Sequence, residues 1–262
     1  MSEERARIRL FVDQALAPGV AVGLGAEQAH YLRSVMRLSA GAPLLLFNGR
    51  DGEWRARLDG LGKGWASCAV ESRTRIQDRG PDLWLVFAPI KRARIDFVAE
   101  KATELGVSGL WPVFTRWTAV GRVNVERLRA NAIEAAEQCG RLSVPEIFPA
   151  ATLDEMLARW PAERRVLLCD ETGTAASITA ALAGSDAAFG PWAVMTGPEG
   201  GFSADELDRL KKLPIVTAAS LGPRVLRADT AALAALACWQ ALAGDWRGAC
   251  HKTSDEIIPP TR

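Results

Sequence analysis

The stretch Trp192-Ala-Val-Met-Thr-Gly-Pro-Glu-Gly-Gly-Phe-Ser-Ala-Asp-Glu-Leu207 carries three structural signals in immediate succession. Trp192 to Thr196 is a short apolar run ended by glycine, the pattern of a strand buried on both faces. Gly197-Pro-Glu-Gly-Gly201 then interrupts any regular structure and permits tight turns and close approach of a ligand to the backbone. Ser203-Ala-Asp-Glu206 has the spacing of a capping box, and Phe202 with Leu207 forms the matching hydrophobic staple, so a helix begins here. Strand, glycine loop and capped helix together predict an α/β unit. Because ligands of open α/β sheets gather at the carboxyl ends of strands, Thr196, Gly197, Glu199, Gly200 and Gly201 form a candidate binding loop. The loop is neither a P-loop, since the G-x-x-x-x-G-K-[ST] lysine is absent, nor a G-x-G-x-x-G fingerprint.

Working outward, the same alternation extends over the second half of the chain. Leu83 to Ala88, Leu110 to Phe114, Arg165 to Cys169 (which includes Leu168) and Ile215 to Ser220 read as strands. Ile95 to Leu105 is a predicted helix stopped by Gly106; Asn124 caps another running to about Cys139; Ala231 to Ala243 forms a last one. Strands alternating with helices over this length predict a parallel sheet. A second loop, Ser220-Leu-Gly-Pro-Arg-Val-Leu-Arg-Ala-Asp-Thr230, also leaves a strand and enters a helix. It brings Leu221, Gly222 and Leu226 together with Arg224, Arg227 and Asp229, so two loops at neighbouring strand ends can build one pocket for a nucleoside-like ligand and a polar or anionic substrate. Two further basic features are the Lys91-Arg-Ala-Arg94 cluster, a pattern that is usually just solvated, and Gln138-Cys-Gly-Arg141 at a helix end, usually a C-terminal charge on the helix dipole.

Residues before Pro81 differ in kind. Arg9 to Val12, Pro43 to Phe47, Glu53 to Leu58 and Trp65 to Val70 are short candidate strands separated by Asn48-Gly49, Asp51-Gly52 and a glycine-rich turn after Asp59. One helix is predicted over Ala26 to Met36. It would carry His30, Arg33 and Arg37 along one face, with Arg9 nearby in sequence. The segment Ser72 to Pro81 reads as a linker. The whole is a two-domain α+β chain: a small β-barrel-like domain over residues 1–75 and an α/β domain over 76–262.

Composition sets outer limits. The 262 residues are 48% hydrophobic and 24% charged, the mix of a globular protein and not of a disordered one. No apolar run approaches the roughly 20 residues a membrane helix needs, and the charged start Met1 to Arg5 is followed by no apolar signal segment, so a cytoplasmic protein is expected. Five scattered cysteines and two histidines, His30 and His251, predict neither a disulfide framework nor a metal centre. Net charge is +1, but residues 1–80 hold 12 Lys and Arg against 9 Asp and Glu, a mild excess that suits an anionic partner.

Taken in order, Lys101-Ala-Thr-Glu-Leu-Gly-Val107, Glu134-Ala-Ala-Glu-Gln-Cys-Gly-Arg141, Gly197-Pro-Glu-Gly-Gly-Phe-Ser203 and Leu221-Gly-Pro-Arg-Val-Leu-Arg227 resemble the bacterial 16S ribosomal RNA (uracil-N3)-methyltransferases, the RsmE family of the SPOUT class. The resemblance covers essentially the whole chain. It implies a PUA-like RNA-binding barrel followed by a methyltransferase domain with a trefoil knot, S-adenosylmethionine as cofactor, 16S rRNA of the small subunit as partner, and a homodimer. It further implies cofactor contacts from Leu168, Thr196, Gly197, Glu199, Gly200, Gly201, Leu221, Gly222 and Leu226. Chemistry would fall to Arg224, Arg227 and Asp229, and RNA contacts to Arg9, His30, Arg33, Arg37, Lys91 and Arg141. Two positions depart from the family pattern: Asp229 replaces the more usual glutamate, and Trp117 stands where serine is more usual. The glycine loop alone also suits a SPOUT-class ribose 2′-O-methyltransferase or a non-catalytic RNA-binding assembly factor. The barrel and the 136–141 motif favour uracil N3, and the intact loops favour an enzyme.

Overall fold

A computed structural model describes residues 6–78, 80–183 and 190–248. Met1 to Arg5, Arg79, Cys250 and His251 fall outside the described residues. The chain divides into two compact units, and the first is discontinuous: residues up to 78 are joined by Ala136–Val144. The sequence gives no hint of that second piece.

The first unit is a five-stranded sheet. Its strands are β1 (Arg9–Phe11), β2 (Ala21–Leu24), β3 (Pro43–Phe47), β4 (Glu53–Gly62) and β5 (Trp65–Arg75), in the order β1-β3-β4-β5-β2. The predicted period of two is visible in β4, where Trp54, Ala56 and Leu58 point into the core. The turn after β3 is built by Asn48, whose side-chain oxygen accepts the N–H groups of Arg50 and Asp51 at 3.0 and 2.9 Å. β5 continues through Ser72 to Arg75, so the first four residues of the expected linker are strand, held by pairing of Trp54 with Arg73 and Glu53 with Arg75. α1 (Ala26–His30) does not run on to Met36 as an α-helix. It widens into a π turn over Tyr31–Val35, in which the Met36 N–H reaches back to the Tyr31 carbonyl at 3.0 Å.

The second unit is built on one parallel sheet. In chain order its elements are β6 (Leu83–Phe87), α2 (Arg92–Glu104), β7 (Gly109–Phe114), α3 (Val125–Cys139), β8 (Glu146–Ile147), β9 (Ala151–Thr152), α4 (Leu153–Ala158), β10 (Arg165–Cys169), β11 (Ala176–Ser177), α5 (Ile178–Leu182), β12 (Trp192–Thr196), α6 (Ala204–Lys211), β13 (Val216–Ser220) and α7 (Ala228–Leu242). Strand order is β11-β13-β10-β12-β6-β7-β8, and β9 pairs with β7. Each face has its own core. Leu83, Leu85, Phe87 and Val194 pack with residues of α2, α5 and α7 on one side. Val86, Leu168, Ala193 and Met195 pack with α4 and α6 on the other. Burial on both faces is why these strands read as unbroken apolar runs. Gln240, fully buried in α7, donates to the Leu105 carbonyl at 2.6 Å and so closes the end of α2. Gly106 beside it has φ +85°, and a Cβ there would meet the Gln240 amide at 2.8 Å.

The amino edge of this sheet is tied by Arg164. Its guanidinium lies 3.5 Å from the centroid of the Trp84 ring, donates to both Asp82 carboxylate oxygens at 2.8 and 3.0 Å, and donates to the Trp192 carbonyl at 2.9 Å. Burial lowers its pKa, and Asp82 works against that shift. The starts of β6, β10 and β12 are thereby fastened to one cation. Arg164→Ala removes the donors to Asp82 and to the Trp192 carbonyl and the cation over Trp84, so it should lower unfolding free energy by about 2 to 3 kcal/mol, read as a shift in urea midpoint at constant slope.

Candidate active site at the carboxyl edge of the parallel sheet

β13, β10, β12 and β6 are neighbours and end level with one another: Cys169 lies opposite Ala219, Leu168 opposite Met195, and Thr196 opposite Phe87. Their exit loops, 170–175, 197–203, 221–227 and 88–91, therefore leave one edge. Both loops singled out from the sequence are among them.

The glycine loop is closed on itself. Gly201 has φ +69°, and its N–H donates to the Pro198 carbonyl at 2.9 Å. A Cβ at Gly197 would come within 3.2 Å of the Gly201 carbonyl carbon and the Phe202 ring. A Cβ at Gly201 would lie 1.8 Å from Oε1 of Glu171, a residue of the neighbouring β10 exit that the sequence reading did not single out. The left-handed backbone is what calls for glycine here, since the exposed Glu171 side chain could swing aside for a Cβ. Past the loop the capping box forms as predicted: Ser203 N–H donates to Glu206 Oε2 at 2.9 Å, and the Ser203 hydroxyl accepts from the Glu206 N–H at 3.4 Å. The β10 exit is anchored by Asp170, paired with Lys211 Nζ at 2.6 Å. Burial raises its pKa, but Lys211 and Thr172 outweigh burial and hold it below the ordinary carboxylate value. Burial pushes the Cys169 thiol up to about 12, with help from Glu171, so it is no nucleophile.

In the second loop Gly222 has φ +107° and its N–H donates to the Ser220 hydroxyl at 3.3 Å. Leu221 packs against the core, Leu226 is half-buried, and Arg224 and Arg227 are exposed. α7 starts one turn earlier than expected, with Arg227 as its N-cap residue, which places Asp229 in its first turn where the helix dipole favours a carboxylate. The sequence reading also missed the cation that joins the two loops. Arg94, in the first turn of α2, has Nη1 3.8 Å from Glu199 and Nε 3.7 Å from Asp229. Its only signal in the sequence was membership of the Lys91 to Arg94 cluster, while Lys91 itself is exposed just before α2.

Two expected contacts need correction. Leu168 is fully buried among Val86, Met195 and Leu210, so its side chain belongs to the core and only its backbone is near the loops. Arg9 is a structural cation. It donates to Glu53 at 2.7 Å and to the carbonyls of Ala136, Glu137 and Arg141 at 2.8 to 2.9 Å, and its guanidinium covers the Phe47 ring. These bonds leave it little to offer a phosphate. His30, Arg33 and Arg37 are exposed, but they do not share an α-helical face. The π turn shifts the register, and Arg37 lies beyond it at φ +52°, the left-handed position that glycine usually holds at a helix end. Arg141 is half-buried, donating to the Ser143 hydroxyl at 3.1 Å. Among the described residues no group of three or more His, Cys, Asp and Glu could hold a metal ion, and no helix is long and apolar enough to cross a membrane.

This arrangement coincides with known families in both units. Residues 78–240 match the model of the RNA methyltransferase domain, and residues 24–71 that of the RNA methyltransferase PUA domain. Ribosomal RNA small subunit methyltransferase E of Rickettsia conorii is 33% identical over 235 residues, covering 87% of this chain and 93% of its own. The protein of the same name from Bacillus subtilis is 28% identical over 80% of this chain and 86% of its own. The crystal structure of the Neisseria gonorrhoeae ribosomal RNA small subunit methyltransferase E bound to S-adenosyl methionine superposes with a TM-score of 0.82 at 28% identity, covering 91% of this chain and 99% of that one. A putative methyltransferase of Legionella pneumophila, in complex with the same cofactor, gives a TM-score of 0.82 at 29% identity, over 92% and 100%. With a PUA domain, a parallel-sheet methyltransferase domain and a glycine loop at the edge where ligands bind, the chain belongs to the ribosomal RNA small subunit methyltransferase E family.

Proposed function

We propose that this protein methylates N3 of one uridine in 16S rRNA of the small ribosomal subunit, as a cytoplasmic homodimer whose methyltransferase domain is threaded as a SPOUT trefoil knot. The observation that carries the reading is the meeting of the glycine loop and the Arg224–Asp229 segment at one sheet edge, bridged by Arg94. S-adenosylmethionine, when bound, supplies an electrophilic methyl group on a sulfonium. The residues present fit such a nucleoside: positions 197, 200 and 201 offer backbone without side chains, and Leu221 and Leu226 offer apolar surface beside it.

What the chain itself must do follows from the chemistry of uracil. N3–H is an imide that loses its proton before N3 can act as nucleophile, and the resulting anion carries its charge on O2 and O4. Arg224 and Arg227, exposed beside the glycine loop's neighbour, are donors for those oxygens. Asp229 is the candidate proton acceptor. N3 sits on the Watson–Crick edge, so the uridine must enter unpaired or flipped. His30, Arg33 and Arg37 in the PUA domain, with Lys91 and Arg141, are assigned to the phosphate backbone, which positions the RNA without reading its sequence.

Three outcomes test this assignment. Gly201→Val forces a branched side chain against Glu171 in a left-handed backbone. Calorimetry of the folded variant should show S-adenosylmethionine affinity reduced at least about tenfold, and wild-type affinity would exclude the loop as the cofactor site. Replacing Arg33 and Arg37 together by Ala should lower the salt slope of rRNA binding by about 1 to 2 units while cofactor affinity stays unchanged. Arg227→Ala should keep RNA affinity and lower the single-turnover methyl-transfer rate by about 100-fold, the size of one lost transition-state donor.

A further inference from the structure

We infer that Trp117 is a stacking platform for an unpaired base of the bound RNA, with Arg116 beside it for the adjoining phosphate. The inference rests on the methyl-transfer reading and names residues outside the two loops that define it.

Trp117 leaves β7, which neighbours β6 in the sheet, and so belongs to the same carboxyl edge as the candidate site. Trp117 is 53% exposed, unlike Trp84, Trp111 and Trp160, which pack with one another and with Phe148. The exposure is not the result of a loose loop. Thr118 N–H donates to the Thr115 carbonyl at 3.1 Å, and Thr115 N–H donates to the Thr118 hydroxyl at 2.9 Å, which closes a turn with Arg116 and Trp117 at its two corners. Arg116 N–H donates to Glu206 Oε1 at 2.8 Å, while Oε2 of the same carboxylate closes the capping box after the glycine loop. One glutamate therefore fixes the turn relative to the loop. Contact is direct as well: a Cβ at Gly200 would come within 3.2 Å of Trp117 Cβ.

The chemistry of this corner selects its ligand. A single rigid indole gives a flat apolar face, and the Arg116 guanidinium lies 5.7 Å from its centroid. The turn's other members are threonines, and Gly200 and Glu199 lie next to it in the glycine loop. An isolated ring with a cation and polar neighbours suits a planar base with its phosphate. A protein partner would ask for a continuous apolar patch, which these neighbours do not supply.

Trp117→Ala keeps the Cβ that packs on Gly200, so the glycine loop should survive unchanged. The full-length protein, wild type and variants, is measured with deproteinised 16S rRNA and with small subunits lacking the modification. Filter binding should show Kd for RNA raised about tenfold in Trp117→Ala, in the range of one lost base stack, and restored to within about threefold in Trp117→Phe. S-adenosylmethionine affinity by calorimetry should match wild type, and the loss should appear in KM for RNA more than in kcat. Unchanged RNA affinity in Trp117→Ala overturns the inference. So does equal loss in the Ala and Phe variants, or a change in sedimentation with RNA affinity intact, which would mark a protein contact. Failure of the wild type to methylate small-subunit RNA would sink the methyl-transfer reading instead, and the RNA-binding comparison would still decide the role of Trp117.

Discussion

Every strand of the larger sheet runs in the same direction, and that constraint organises the second unit. Parallel pairing sends all carboxyl ends to one edge and all amino ends to the other. The two edges then divide the work. At the amino edge a single guanidinium, Arg164, gathers three strand starts through its two terminal nitrogens, which donate to the Trp192 carbonyl and the Asp82 carboxylate. At the carboxyl edge the backbone is left in glycine turns, and the polar groups reach between loops instead of within them. Arg94 spans Glu199 and Asp229, and Glu206 spans the capping box and the Thr115–Thr118 turn. Loops that would otherwise move independently share partners, so their relative placement is fixed by a few ionic and hydrogen-bonded contacts. These contacts are partly exposed, and each is individually weak.

Much of this was legible in the sequence because it rests on short-range rules. Strands β3, β10 and β12 fall at the residues expected, since each is an apolar run cut off by glycine, asparagine or aspartate. Helices α3 and α6 begin at Asn124 and Ser203 because a side-chain oxygen three residues before a free N–H is a local signal. Weakly patterned elements escaped. β2 is four residues with a glycine inside it, and α4 is a short helix whose Thr152 capping box went unread. The π turn after His30 has no signature distinct from that of an α-helix.

Residues whose role depends on distant partners were the least legible. Arg9 looks from its neighbours in sequence like one of several basic residues facing an anion. Its actual partners, the carbonyls of Ala136, Glu137 and Arg141, lie more than 120 positions away. Glu171 and Gly201 meet because β10 and β12 are adjacent, which no local pattern announces. The resemblance supplied the loops but not what braces them: Arg94, Glu171 and Glu206 are visible only once the strands are in order.

The intruding segment Ala136–Val144 has a consequence for modularity. Phe47 is buried against Ala136 and Leu142, and three of the acceptors that hold Arg9 belong to that segment. A fragment ended at residue 78 would carry a bare phenylalanine and an arginine left with Glu53 alone. A fragment begun at residue 80 would carry the complementary apolar face of α3 and the residues after it, with nothing to cover them. The RNA-binding half is therefore not a detachable cassette. Phe47 and Arg9 depend on a nine-residue segment encoded inside the other half, so a graft or a recombination event that exchanges one half without the other would strip those partners away.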